Sequence, residues 1–328
     1  MSGDRLITVC VPTFRRPSLL LHTLHSCFIQ DYRPLEIDIG DDSPGSETEQ
    51  VVRSLTVPAG ISIRYQRNQP HLGQVGNVNA LFGRARGSRL VLLHDDDLLL
   101  PGAITALDDA FSMSGQVVAA YGHQEVILEN GEVSEKETVA NSAHANRLPH
   151  YTGIQSNPVV CALWRQFPND GFLIESTVAR EIAYRDVAAV GNANDLDFAI
   201  RLAIVHRRRE FVFLNRVTSQ YRLSAGSIRA LNDTCRRMYE VVQQLVLISA
   251  EEIEARNWLL EKIAEEAVVD NALLGDRRAA LRIFFSSHYP RLRNPFKSVF
   301  HLAIIGLPRL YHLRIMMEVA RTRGFMLR

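Results

Sequence analysis

Short apolar runs rich in β-branched residues and leucine recur along the first third of the chain, each followed by a turn or a helical stretch. Residues 6–11, LITVCV, form such a run and stop at Pro12, as a buried strand does. From Pro17 onward, Leu20, Leu21, Leu24 and Phe28 fall on one helical face. The runs 35–39 (LEIDI), 61–65 (ISIRY), 89–93 (RLVLL) and 117–122 (VVAAYG) repeat the strand pattern. Helices are expected near 47–55, over 73–86 and from Pro101. Strands alternating with helices predict βαβ units, hence an α/β fold with a mainly parallel, twisted sheet flanked by helices.

Residues 123–160 are polar and irregular, with a hairpin signal at Glu129-Asn130-Gly131-Glu132. A second organised block runs to about Arg229. Beyond 233 the pattern is helical, as in MYEVVQQLVLI and EEIEARNWLLEKIAEEAVVDNALL. This divides the chain into a domain over 1–230, with halves at about 1–122 and 123–230, and a helical C-terminal region over 231–328. The stretch 291–328 sets eight Arg or Lys against one acidic residue, Glu318. There Phe296, Val299, Phe300, Ile304 and Leu307 lie beside Lys297, Arg309 and Arg314. Three readings stay open for it: peripheral contact with an anionic membrane, a contact in a homo-oligomer, or a lid on the catalytic domain.

A formal net charge of +1 gives no global attraction to nucleic acid, which is excluded as a partner. Cys10, Cys27, Cys161 and Cys235 stand far apart, without zinc spacing, and read as reduced thiols of a cytoplasmic protein. The opening MSGDRLITVCVP lacks the basic and apolar regions of a secretory signal, and no apolar run nears the roughly 18 residues of a membrane span.

Ligands of open α/β sheets bind beyond the carboxyl ends of the strands. Those ends carry Pro12 and Thr13, Asp41 and Asp42, Arg67, and the run His94-Asp95-Asp96-Asp97. Adjacent carboxylates about 5 Å apart repel by about 3 kcal/mol at an effective dielectric near 20. A helix starting at Pro101 puts its cap at Leu100, so these aspartates fit poorly as caps; unless solvent spreads the charge, the repulsion calls for a divalent metal or for Arg or Lys from elsewhere. A hard divalent ion, Mn²⁺ or Mg²⁺, held by one or two carboxylates and open to phosphate oxygens, suits the run. Walker A, G-x-G-x-x-G, H-E-x-x-H and G-x-S-x-G motifs are all missing, which leaves a diphosphate site without a P-loop.

The segments VCVPTFRRPSLLLHTLHSCFIQDY, EIDIGDDSPGSE and GQVGNVNALFGRARGSRLVLLHDDDLLLPGAI, in that order and spacing, resemble the family 2 glycosyltransferases of GT-A fold, over roughly 5–230. The resemblance implies a metal-dependent, inverting enzyme that moves a sugar from a nucleotide diphosphate donor (UDP- or dTDP-linked) to a glycan or lipid-linked glycan. It implies that Pro12 and Thr13 border the base, that Asp41, with Asp42 beside it, accepts the pyrimidine N3–H, that Asp95 lies near the ribose, and that Asp96 holds the metal. Asp97 assists there or holds the loop. Within NANDLDFAIRLA, Asp195 stands where the family has its catalytic base, with Asp197 as neighbouring alternative; an N-cap role for Asp195 is the structural alternative. Arg222 of YRLSAGSIR is expected at the diphosphate, with Ser224 about where the family has a histidine. His94 stands where the family commonly has an aspartate, either as a ligand or as a packed histidine at the strand end, and Val75-Gly76-Asn77 replaces Ala-Arg-Asn, leaving Asn77 near the donor and Arg67 or a later arginine as the substitute. Trp164 and the loop 168–172 are expected in the acceptor wall or the core. A nucleotidyltransferase, or a non-catalytic module that binds nucleotide sugars, is the alternative class.

Overall fold

A computed structural model describes residues 5–223 and 234–309; Ser224 and Arg314 lie outside these. The chain divides into two compact units, Met1–Ala189 with Asn194–Ser227, and Val190–Ala193 with Ile228–Arg328.

The first unit is built on one sheet. Its strands are β1 (Ile7–Thr13), β2 (Leu35–Asp41), β3 (Ile61–Arg67), β4 (Arg89–Leu92), β5 (Leu98–Leu99), β6 (Val117–Ile127), β7 (Gly153–Gln155), β8 (Leu173–Glu175) and β9 (Glu210–Arg222). Their order is β3-β2-β1-β4-β8-β6-β9-β5, with β7 also on β9. Across β3, β2, β1 and β4 every pairing is parallel, as the βαβ pattern requires. Beyond β4 the sheet becomes mixed: β8 runs antiparallel to both neighbours, while β6 and β9 pair in parallel. The short β8 makes the reversal, and its three residues carry too little pattern to announce it.

Ile7, Val9 and Val11 of β1 and Ile37 and Ile39 of β2 are fully buried against Leu20 and Leu24 of the helix Pro17–Phe28. Two expectations shift. The helix after the aspartate run starts at Ala103, behind Gly102 in a left-handed conformation (φ 72°), so Pro101 closes a turn instead of opening the helix. The strand expected over 117–122 continues to Ile127, and the Asn130-Gly131 turn closes it with Leu128 N donating to Glu132 O at 2.8 Å. The four thiols are free, with Cys10, Cys27 and Cys161 buried.

The second unit contains the helices Thr234–Gln243, Ala250–Leu273, Arg277–Phe284 and Pro295–Gly306. Caps come from Ser249, Asp276 and Asn294, each accepting from a backbone N–H three residues on. Leu259, Leu260, Ile263, Ala267 and Val268 supply its core. No described helix is long and apolar enough to cross a membrane.

Candidate active site

The carboxyl ends of β1, β2 and β4 form the rim where the sequence placed its polar residues. At the end of β1, Thr13 Oγ1 donates to Asp95 Oδ2 at 2.7 Å and Phe14 N to the same oxygen at 3.3 Å. Arg16 then lies across Asp95 (3.3 Å) and Asp96 (2.7 Å). A protein cation therefore answers two of the three adjacent charges. Burial lifts the Asp95 carboxyl above its ordinary range, against the Thr13 bond that lowers it.

At the end of β2, Asp41 is buried and accepts from Ser43 N (2.8 Å) and Tyr65 Oη (2.7 Å). Asp42 accepts from Asn68 Nδ2 (2.7 Å) and Leu72 N (3.1 Å). Asn77 donates to Gly40 O (2.7 Å) and accepts from Asn68 (3.0 Å), fastening its helix to β2. Arg67 Nη1 donates to Gly45 O at 2.9 Å. Pro12 lies inside β1, paired in register with Gly40.

Asp97 turns inward. Its Oδ1 accepts from Arg222 N (2.7 Å), and its carbonyl accepts from Thr23 Oγ1 (2.9 Å). Its buried Oδ2 has no hydrogen-bond partner among the described residues and stands 3.8 Å from His94 Nδ1. Asp170 completes this corner: its Oδ2 accepts from His94 N (3.0 Å) and lies 3.5 Å from Nδ1. One ligand atom each from His94, Asp97 and Asp170 falls within 4.8 Å of the others, a set able to hold a metal ion. Burial, then Asp170 and Asp96, push the Asp97 carboxyl well above the ordinary range. Burial disfavours a charged His94, but Asp170, Asp195 and the other carboxylates outweigh it and raise its pKa. Facing carboxylates of this kind need a shared proton or a cation between them.

Sequence reasoning missed Asp170. It lies in the loop 168–172, outside any strand, and the β4–β8 register delivers it: Val91 pairs with Leu173, so three residues further along β4 and three back along β8 bring His94 opposite Asp170. The Asp170-Gly171 turn was the available signal; Gly171 has φ 71°, and a Cβ there would sit 2.6 Å from Ser219 Oγ. Arg147 was missed too. Fully enclosed, it donates to Gln124 Oε1 (2.9 Å), and Gln124 Nε2 donates to Asp170 Oδ1 (2.9 Å). Burial brings its pKa down to about 10.

Arg222 is committed to carbonyls, with Nε on Asp96 O (2.9 Å) and Nη1 on Leu128 O (3.0 Å). Asp195 is the second residue of the helix Asn194–Val205, inside it and not its N-cap. Its carboxyl is pushed up to about 6 by burial; His94 opposes, Asp170 adds, and a bond from the Tyr184 hydroxyl lowers it. No Arg or Lys pairs with it among the described residues. Asp197, by contrast, is ion-paired with Arg185 and with Arg201 Nε (2.8 Å). Trp164 is half-buried, its ring 5.3 Å from that of Tyr151.

Residues 8–163 match the family model described as Glycosyl transferase family 2. Over 102 residues the chain is 38% identical to the GalNAc(5)-diNAcBac-PP-undecaprenol beta-1,3-glucosyltransferase of Campylobacter jejuni, covering 31% of this chain and 33% of that one. The chain thus matches about a third of the length of the curated relatives it resembles. Among solved structures it is similar to S. aureus TarS 1-349 in complex with UDP (TM-score 0.58, 12% identity, 83% of this chain and 82% of that one). It is also similar to the mannosyltransferase PcManGT from Pyrobaculum calidifontis with GDP-Man and Mn²⁺ (TM-score 0.57, 16% identity, 95% and 88%). Those two likenesses concern the fold. The segment 8–163, just under half of the chain, is thus where this protein resembles glycosyl transferase family 2.

Proposed function

We infer that the chain is a metal-dependent, inverting glycosyltransferase that moves a sugar from a UDP- or dTDP-linked donor to an acceptor hydroxyl, in cell-surface polysaccharide or glycolipid synthesis. Asp195 is the observation that carries this reading: a carboxylate with a raised pKa, facing His94 and Asp170, that no Arg or Lys neutralises among the described residues. Inverting transfer is a single displacement, in which a base takes the acceptor's proton while the diphosphate departs on the opposite side. Asp195 is that base. Asp197, held by two arginines, anchors the helix instead.

On the donor side, Pro12, Thr13, Asp41 and Asp42 border the base and Asp95 the ribose. The aspartates already accept internal bonds, so a pyrimidine N3–H would meet their remaining lone pairs. Asn77, Arg67 and Arg222 act by fixing the loops that bear these groups. The orphaned Asp97 Oδ2 supports a bound cation, and an imidazole beside carboxylates suits Mn²⁺ better than Mg²⁺. Asp97, with His94 and Asp170, would hold it, joined by Asp96 once Arg16 releases it. Bound there, it would neutralise the departing diphosphate. By likeness to the Campylobacter relative, whose name includes PP-undecaprenol, the acceptor proposed is a lipid-linked glycan.

The test is thermal stabilisation by a panel of nucleotide sugars with and without Mn²⁺, followed by transfer assays. Asp195→Asn should keep the donor's stabilisation and lose transfer; turnover by this variant would move the base elsewhere. A panel without any Mn²⁺-dependent shift, with Asp97→Asn indistinguishable from the parent, would remove the metal.

A further inference from the structure

We propose that the end of the helix Arg277–Phe284, the loop after it and the outer face of the helix Pro295–Gly306 form a docking surface for an anionic lipid bilayer. This goes beyond the catalytic reading and stands independently of it. Within the second unit, the inward face of Pro295–Gly306 carries Ser298, His301, Ile304 and Ile305, all buried. Ile304 therefore belongs to the core and not to the apolar face that the sequence suggested. The outward side is apolar as well: Leu292 is 96% exposed, Phe296 87% and Val299 67%. Phe285, at the end of the preceding helix, is 63% exposed and joins this patch through Arg291, whose guanidinium lies 5.9 Å from its ring. Large apolar side chains this open to water at adjoining positions mark an interaction surface.

Charge identifies the occupant. Residues 277–309 contain seven Arg or Lys and no Asp or Glu. Among the described residues, only Lys297 of these seven meets a carboxylate, that of Glu265. A second copy of the chain is a poor occupant, because a two-fold contact would press Arg291 and Arg293 against their own equivalents with no acid to answer them. The following segment, 310–328, is basic in sequence too, four Arg against Glu318, and its removal is one arm of the test. An anionic lipid surface answers both features at once: phosphate headgroups for the guanidinium groups, acyl boundary for Leu292, Phe296 and Val299.

The test is flotation of the full-length protein with vesicles of phosphatidylcholine plus phosphatidylglycerol, and of phosphatidylcholine alone. Binding is expected only to the anionic vesicles, reduced by high salt. The double variant Leu292→Ser/Phe296→Ser should lose at least about tenfold in partitioning, and Arg293→Glu about thirtyfold, since reversing one charge spans two steps of about 1 kcal/mol each at the surface. Both variants alter exposed side chains, so unchanged melting temperatures would confirm that they fold.

Equal partitioning by parent and variants would overturn the proposal. So would loss of binding on removing 310–328 while the double variant still binds. Concentration-dependent dimerisation that the double variant abolishes, without vesicle binding, would make the face a self-contact instead. Flotation needs no turnover: a protein that transfers sugar to a soluble acceptor but does not float sinks only the membrane surface, and one that floats without transferring sinks only the catalytic reading.

Discussion

Asp195 should make the folded protein less stable than it would be without that charge. Its carboxyl rises from 3.8 to about 6, chiefly through burial. The folded state thus holds a proton that the unfolded chain releases as pH rises through 4 to 6. Stability falls over that window and stays reduced above it. Two units correspond to about 3 kcal/mol, an upper value because part of the side chain reaches solvent. Asn at 195 keeps an oxygen for the Tyr184 hydroxyl and removes the charge. The Asp195→Asn protein should therefore melt several degrees above its parent at pH 8, and the gap should close toward pH 4. Scanning fluorimetry across that range, with chelator present to keep divalent ions from the neighbouring carboxylates, reads it directly. A gap of constant size at all pH values, or a variant less stable at pH 8, would refute the assignment of Asp195 as a desolvated carboxylate without an Arg or Lys partner.

Transfer should rise with pH through about 6, as Asp195 loses its proton, and then level off; a limb near pH 4 in the pH–rate profile would point to another base. Asp197→Ala leaves Arg185 and Arg201 without their shared partner and should cost about 2–4 kcal/mol in urea unfolding, with nucleotide binding retained by the fraction that stays folded. Arg147→Met breaks the Arg147–Gln124–Asp170 chain and should weaken Mn²⁺ binding about tenfold in a calorimetric titration; unchanged affinity would mean that the chain does not position Asp170.

The parallel half of the sheet was legible because its strands are short, largely apolar runs ending at polar residues, and β1, β2 and β3 pair in sequence across single helices. The aspartate run was legible as a place that needs charge compensation, because like charges placed together demand an answer. What answered was not. Arg16 is 79 residues from Asp95 in sequence and reaches it by the parallel pairing of β1 with β4. Asp170 reaches His94 only through an antiparallel register set by a three-residue strand. Asp195 and Asp197 look alike in the sequence; the arginines that separate them come from 185, in a different segment, and from 201, one turn along the same helix. Arg222 showed its charge but not its carbonyl partners, Asp96 beyond β4 and Leu128 in the hairpin beyond β6.

The pairing of β4 with β8 also sets when the His94–Asp97–Asp170 corner can exist. His94 and Asp97 leave the ribosome long before Asp170, and nothing local holds the last of these near the first two. The corner closes only after distant stretches of the chain have zipped together, a step that loop-closure entropy slows. One residue inserted between Asp170 and Leu173 would put that carboxylate out of step with His94 without touching the parallel pairings among β3, β2, β1 and β4. Such a protein would keep the parallel half of its sheet and lose the His94–Asp97–Asp170 corner.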